Sequence, residues 1–398
     1  QSMKVAFFID SPSIGGGYYS MLNFVSLIKK IESEKHTIIF ITRNKLIFEF
    51  LNKNKINSYF FQSNILEKII LKLSTNNLIG KFFDIIKYHN PFYQYLKKNK
   101  VSYVIFNEPS SFMFYCKKIN FVSYIFNTEI DQVSHFKEFQ NGIYEKQKKI
   151  IEFSVIFAKK IFVFTESNRT DLVKRYNCDS SKIIIQNLIP YLPEIHKKNI
   201  DFDYEKIFRT KFKFSKYEKF IFYPAQFLEH KNHQLILDTI KYFKKNNINN
   251  VRFIFSGTTT VTKRGCISRI KAIIEKEKLS SYIIFLGNIS ELELIAIYKY
   301  CNYLIMPTYL GRCSLPFLES LYFGKKIFYN KYILDEKFLK YIIKIDPENS
   351  EDCFLKIKKF LLNKNIKEVN LPNLRSVYEV ECDKRIFLNN FQNLLKNI

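Results

Sequence analysis

The chain has no tryptophan and few residues that break regular structure, with 10 glycines and 10 prolines in 398 residues. Collagen-like repeats, Pro/Ser-rich stalks and long flexible linkers are therefore excluded as major components. Its cysteines are too few and too scattered for a stapled scaffold. The seven (Cys116, Cys178, Cys266, Cys301, Cys313, Cys353 and Cys382) are an odd number and nowhere form a close metal-binding pair, which leads us to expect reduced thiols in a cytoplasm. No apolar run reaches the ~18 residues that span a bilayer. Gln1-Ser2 reads as a remnant ahead of a native start at Met3, and the chain then enters an apolar strand pattern without a signal-peptide core or cleavage site. Acid is scarce as well: 37 Asp and Glu face 63 Lys and Arg, giving a formal charge of +26.

What is present is apolar and aromatic, 47% and 17% of residues, so the chain folds rather than remaining disordered. At roughly 150 residues per domain its length suits two or three domains. The charge would draw phosphates, nucleic acid or an anionic membrane surface. Lysine outnumbers arginine and Ile, Asn and Phe are abundant, an imprint of AT-rich codons, so charge alone selects none of these partners. A nucleic-acid partner is not expected, because no zinc, helix-turn-helix or basic-aromatic signature accompanies the charge.

Short apolar runs rich in Ile, Val, Phe and Tyr alternate with longer segments of helical period, the signature of a parallel α/β sheet. In the first half they fall at 5–9, 37–41, 101–106, 121–126, 161–164 and 183–185. Amphipathic stretches such as 19–30 and 144–158 lie between them. After the polar stretch 187–219 the pattern restarts, with runs at 220–223, 251–255, 282–286, 303–306, 326–329 and 341–345. Two Rossmann-like, doubly wound domains follow, 1–195 and 196–375. A helical segment at 376–398 either closes the second domain or crosses back to the first. No repeat of fixed period is visible.

Ligands of such sheets bind beyond the carboxyl ends of the strands, so the residues after each run are the candidates. Gly15-Gly16-Gly17 follows the first run without the usual dinucleotide spacing, which disfavours an NAD site. It is either an ordinary turn or a loop whose backbone approaches a phosphate or sugar. In the stretch 223–233, His230-Lys231-Asn232-His233 leads into a helix, where a lysine adds charge to the positive end of the dipole, as a diphosphate requires. Solvated surface is the ordinary alternative there. A metal on His230 and His233 would need a third ligand that no spacing supplies. Between Pro307 and Gly324, Pro316 suits a first helical turn and Gly324 an end. Glu319 then lies about one turn in, placed either to accept the hydroxyls of a ribose or merely to complement the dipole. Asp201-Phe202-Asp203 falls between the domains and reads as solvated charge. No metal ligand set and no Ser/His/Asp or Cys/His triad emerges.

Taken together, Tyr223-Pro224-Ala225-Gln226-Phe227 with His230-Lys231-Asn232-His233, then Phe285-Leu286-Gly287, Pro307-Thr308, and Leu315-Pro316-Phe317-Leu318-Glu319-Ser320 with Gly324, resemble in order and spacing a GT-B glycosyltransferase of family 4. That is a retaining group with many bacterial surface-polysaccharide enzymes. Phe162-Val163-Phe164-Thr165-Glu166-Ser167 with Asp171-Leu172 resembles the end of that family's first domain. The resemblance implies α/β GT-B architecture, with two Rossmann-like domains facing a cleft, the donor mainly on the second and the acceptor on the first. It also implies catalysis by Lys231, which neutralises the departing diphosphate, by Glu319, which holds the ribose, and by Asn127, at the donor-sugar position. Donor contacts would come from Gly16, Gly17, Gln226, Gly257, Gly287, Arg312, Ser314 and Leu315. No metal and no resident cofactor is implied, since the nucleotide-sugar is a co-substrate.

Three positions depart from the family pattern. Gln226 stands where an arginine is usual, Asn127 where a histidine is common, and Gly311 where the first of two glutamates normally lies; Arg312 is the candidate to restore the missing charge. The expected function is transfer of a sugar from a nucleotide-sugar to a lipid-linked or surface glycan, as in lipopolysaccharide, capsule or glycoconjugate synthesis. The alternative is a non-catalytic GT-B protein that binds a glycan or a partner enzyme. The expected location is cytoplasmic and peripheral on the inner face of the cytoplasmic membrane, where Lys29, Lys30, Lys68, Lys72, Lys81, Lys97, Lys98 and Lys100 would meet anionic lipid.

Overall fold

The computed structural model describes residues 3–10, 16–31, 36–74, 89–212, 215, 217–261, 265–362 and 373–397. The chain divides into two compact units, one made of Gln1–Thr128, Tyr144–Ile189 and Asp383–Ile398, the other of Glu129–Ile143 and Pro190–Cys382.

Unit 1 holds a seven-stranded sheet of β1 (Met3–Ile9), β2 (His36–Thr42), β3 (Ser58–Phe60), β4 (Val101–Phe106), β5 (Asn120–Tyr124), β6 (Lys160–Val163) and β7 (Ile183–Ile185). The order is β3-β2-β1-β4-β5-β6-β7, and every pairing is parallel. A parallel strand is covered on both faces and so reads as an unbroken apolar run, as in β1, where Val5 to Ile9 are at most 1% exposed. The edge strand β3 has no such run. Its three residues are only half-buried, so nothing in the apolar pattern announces it. The last helix, Lys384–Lys396, belongs to this unit and buries Phe387, Phe391, Leu394 and Leu395 on one face. The Phe391 ring lies 5.9 Å from Phe7, 5.7 Å from Phe24 and 4.9 Å from Phe162, while the Asn390 amide donates to the Ile185 carbonyl at 3.0 Å.

Unit 2 holds a six-stranded parallel sheet of β8 (Lys219–Pro224), β9 (Val251–Ser256), β10 (Ile283–Gly287), β11 (Tyr303–Met306), β12 (Ile327–Asn330) and β13 (Ile343–Ile345), ordered β10-β9-β8-β11-β12-β13. Strand succession reverses between β8 and β11, which makes the crevice beyond their carboxyl ends the expected ligand position. A contiguous division at 195 and 375 does not describe these units. The segment Glu129–Ile143 groups with unit 2, where it buries Ile130, Val133 and Phe139 and sets Phe136 5.4 Å from the Tyr309 ring.

Candidate active site

In unit 2 the loops leaving β8 and β11 are fastened to each other. The His230 carbonyl accepts from the Tyr309 backbone N–H at 2.8 Å and from the Thr308 hydroxyl at 3.3 Å. The Lys231 carbonyl accepts from the fully buried Tyr223 hydroxyl at 2.6 Å. Asn232 takes a left-handed conformation, φ 53°, and caps the helix His233–Lys245 by accepting from Leu235 N–H. This tight exit fixes where the Lys231 side chain begins. Lys231 is half-buried and among the described residues makes no ion pair. Burial pulls its ammonium down to about 8, with the Glu138 charge opposing, so it remains a cation at neutral pH. That state suits capture of an anion.

Two buried glutamates from the segment Glu129–Ile143 reach these loops. Glu138 Oε1 accepts from both the His230 backbone N–H, at 2.8 Å, and the His230 Nδ1–H, at 2.6 Å. Burial raises the Glu138 pKa, but the His230 hydrogen bonds outweigh it and leave the carboxyl below its usual range. Burial likewise lowers the His230 ring, against its bond to Glu138. The pair is therefore carboxylate and neutral imidazole. Glu129, wholly buried, accepts the Gly311 N–H at 3.2 Å and holds the Arg312 Nε at 3.4 Å.

The β11 loop ends at Ser314, whose hydroxyl caps the helix Leu315–Tyr322 by accepting from Phe317 N–H. Tyr329 braces this turn by donating to the Gly311 carbonyl at 2.8 Å, with Ser314 Oγ 3.3 Å away. Gly311 has φ +113°, a region that side chains rarely adopt. On the fifth residue of the helix, buried Glu319 accepts from the Tyr298 hydroxyl at 2.7 Å. Burial pushes its carboxyl up to about 7, the Tyr298 bond working against that rise. Helix amides, two cations and an acid of near-neutral pKa thus border the β8–β11 crevice.

In unit 1 the corresponding strand ends carry mostly neutral groups. Asn127 is half-buried just past β5. Its neighbour Thr128 is pinned to the helix Glu166–Tyr176: the Thr128 hydroxyl donates to Asp171 at 2.7 Å and accepts from the Asn168 amide at 3.0 Å. Past β1 and β2, Asp10 and Arg43 form an ion pair.

Residues 205–373 match the model of the family described as glycosyl transferases group 1. The chain carries a glycosyltransferase group 1 domain. Solved structures agree on the fold. Anabaena HepE, solved in complex with UDP-glucose, is 11% identical, with a TM-score of 0.72 over 100% of both chains. A glycosyltransferase from Rickettsia africae is 16% identical, with a TM-score of 0.66 over 100% of this chain and 98% of its own. WaaG, described as a glycosyltransferase involved in lipopolysaccharide biosynthesis, is 12% identical, with a TM-score of 0.66 over 98% of this chain and 99% of its own. These likenesses place both units in the GT-B fold. No curated protein sequence matches the chain.

Within this fold the residues expected from sequence fall unevenly. Lys231, Arg312, Ser314, Leu315 and Glu319 all belong to the loops and helix that edge the β8–β11 crevice. Gln226 also leaves β8, but its side chain is exposed and its Oε1 accepts the Thr258 N–H at 3.2 Å. Gly257 donates its N–H to the Gly287 carbonyl at 2.9 Å. A Cβ on Gly257 would meet the Ala225 carbonyl oxygen at 2.6 Å, so packing alone accounts for this glycine. Gly287, with φ +65°, has open space around it. Gly16 and Gly17 are not loop residues as expected: they open the helix Gly16–Ile28, and Gly15 lies outside the described residues. His230 and His233 do not form a pair of ligands, because His230 is engaged by Glu138 and His233 is packed among Tyr223, Phe227 and Phe255. Asp203 caps the turn Tyr204–Lys206. Arg312 comes with its own carboxylate, Glu129, and is not a spare charge. Glu129, Glu138, Tyr298 and Tyr329 escaped sequence reasoning; a glutamate two residues past the conspicuous Asn127 was the one available signal.

Proposed function

We propose that this glycosyltransferase moves a sugar, with retention of its anomeric configuration, from a nucleoside-diphosphate sugar to a lipid-linked or surface glycan. The observation that carries the reading is Lys231, a cation without an ion pair among the described residues, on the β8 exit that His230 fastens to the β11 loop bearing Arg312 and the Ser314-capped helix. In this reading Lys231, Arg312 and the Leu315 N–H meet the diphosphate and stabilise its developing charge as the glycosidic bond breaks. Glu319 takes the ribose hydroxyls, Gly287 leaves room for the base, and Gly16, Gly17 and Asn127 serve the sugar and acceptor. The departing phosphate oxygen accepts the acceptor's proton, which fits the lack of a nucleophile in the sequence pattern. Protein cations do the work at the leaving group, so the proposal calls for no resident cofactor. HepE in complex with UDP-glucose and WaaG in lipopolysaccharide synthesis are fold relatives consistent with such substrates.

A membrane-borne acceptor is supported by the helix Ile65–Ser74 of unit 1. Ile65 and Leu66 are 76% and 70% exposed, Ile69 and Leu73 are also exposed, and Lys68 and Lys72 project from the same helix. Apolar side chains beside lysines suit an anionic bilayer surface. Lys29, Lys30, Lys97, Lys98 and Lys100 are exposed as well, while Lys81 lies outside the described residues. No helix among the described residues is long and apolar enough to cross a membrane.

The test is a thermal-shift screen against UDP, GDP, CDP, ADP and TDP and their sugar conjugates, followed by NMR of the product anomer. A selective shift that Lys231→Ala removes, with a retained anomer and turnover indifferent to EDTA, supports the reading. A flat screen from folded protein overturns it. Flotation with anionic but not neutral liposomes, lost in Leu66→Glu/Ile69→Glu, supports the membrane part.

A further inference from the structure

The segment Glu129–Ile143 is remote in sequence from the nucleotide loops yet belongs to unit 2, and it delivers a carboxylate to the residue immediately before Lys231. Glu138 is 6% exposed. Its Oε1 takes both N–H donors of His230, while its Oε2 is buried without a hydrogen-bond partner. A buried carboxylate oxygen left unpaired costs stability, and a helix cap or surface contact would not need it there.

We propose that Glu138 is a positioning residue for the leaving-group cation: held rigidly by His230, its carboxylate fixes the loop 228–232 and places a counter-charge beside Lys231 until a diphosphate takes over that role. The proposal rests on the donor reading above. The groups that bear on Lys231 electrostatically are Glu138 from the turn Lys137–Phe139, His230 on its own turn and His233 at the start of the next helix, while the Tyr223 hydroxyl from β8 holds the Lys231 carbonyl. Both histidines are lowered below their usual value and Tyr223 is raised well above its own. Glu138 is therefore the charged group among them at pH 7–9 and it favours the ammonium, while the carboxylate of Glu229, on the same turn as Lys231, accepts the Lys137 N–H. Without it Lys231 loses its proton at lower pH, and with it the charge that a diphosphate needs.

The experiment measures the affinity of whichever nucleoside diphosphate binds the wild type, by calorimetry from pH 6.5 to 9.5, in wild type, Glu138→Gln and Glu138→Asp. Wild-type affinity is expected to fall as pH rises past about 8. In Glu138→Gln the onset of that fall should move down by about 1 pH unit, and Glu138→Asp should restore part of it. A loss of affinity by the same factor at every pH, or unchanged affinity throughout, overturns the proposal. His230→Ala, which keeps the backbone donor and removes the ring donor, should move the onset in the same direction by less, and it carries the test if Glu138→Gln does not fold. If the wild type binds none of the diphosphates, the donor reading itself has failed; binding by wild type with an unmoved onset in the variants removes this inference alone.

Discussion

The two units share a parallel sheet and the same strand-end logic, yet finish their carboxyl ends with opposite chemistry. Unit 2 gathers buried titratable groups there: Lys231, Glu138, His230, His233 and Glu319. Unit 1 offers amides and hydroxyls, Asn127 and Thr128, and the charged groups near them are already paired, Asp10 with Arg43 and Asp171 with Arg175. Buried charge is costly unless it is paired or used, and its concentration in one unit is what the proposed diphosphate site calls for. Neutral donors and acceptors in the other suit uncharged hydroxyls. The sharpest way to break this contrast is to remove one residue from each side. Lys231→Ala should weaken nucleoside diphosphate binding at least ~100-fold, read by calorimetry. Asn127→Ala should leave that affinity within about twofold and lower kcat by ~10-fold. Equal loss of diphosphate affinity in both variants would erase the division of labour.

The second contrast concerns stability. The folded Glu319 carboxyl is raised to about 7, so the folded state binds the extra proton. Its contribution is present below the ordinary carboxylate range and is lost as pH rises through 7, at a cost of roughly 3 kcal/mol. Glu319→Gln removes that cost. The variant should melt higher than wild type at pH 8, the difference vanishing by pH 5, while its nucleotide affinity falls ~10-fold. A site residue that stabilises when deleted is the mark of function held against stability.

His233 gives the opposite pH dependence. Both its ring nitrogens are buried without partners, and burial, aided by Lys231 and His230, lowers it to about 3. The unfolded chain binds the proton that the folded one refuses, so stability is complete above pH 6.5 and is lost as pH falls toward 3. The loss should reach roughly 3 kcal/mol by pH 4. His233→Phe, which keeps the packing among Tyr223, Phe227 and Phe255, should flatten that acid limb in denaturant titrations. An unchanged limb would assign acid sensitivity elsewhere.

The legible part of the molecule was the part that repeats. Apolar runs of three to six residues betrayed twelve strands because a strand buried on both faces has little choice of composition, whereas β3, half-buried at an edge, left no trace. Lys231, Arg312, Ser314 and Glu319 were legible because short spacings bind them to one loop or one helical turn. Glu129 and Glu138 were not, since their meaning depends on partners 182 and 92 residues away, and one chain read linearly offers no sign of such pairings. The same limit hid the grouping of Glu129–Ile143 with the second unit. Gly257 shows the converse case: the close Ala225 carbonyl requires a glycine there whether or not a ligand lies beside it.

Gln226 supplies the smallest and most pointed test of where charge matters. It stands where the resembling family carries an arginine, and its exposed amide does no more than accept the Thr258 N–H. Gln226→Arg gives up that one bond at the surface, a loss of at most ~1 kcal/mol, and adds a cation on the loop that bears Lys231. If that loop faces the diphosphate, affinity should rise about threefold at low ionic strength, and the gain should shrink as salt screens an exposed charge. The same substitution in a Lys231→Ala background should recover a small part of the lost binding, because a point charge on a flexible arm replaces one held at a fixed exit. An affinity unmoved by the new charge in both backgrounds would place residue 226 off the diphosphate path.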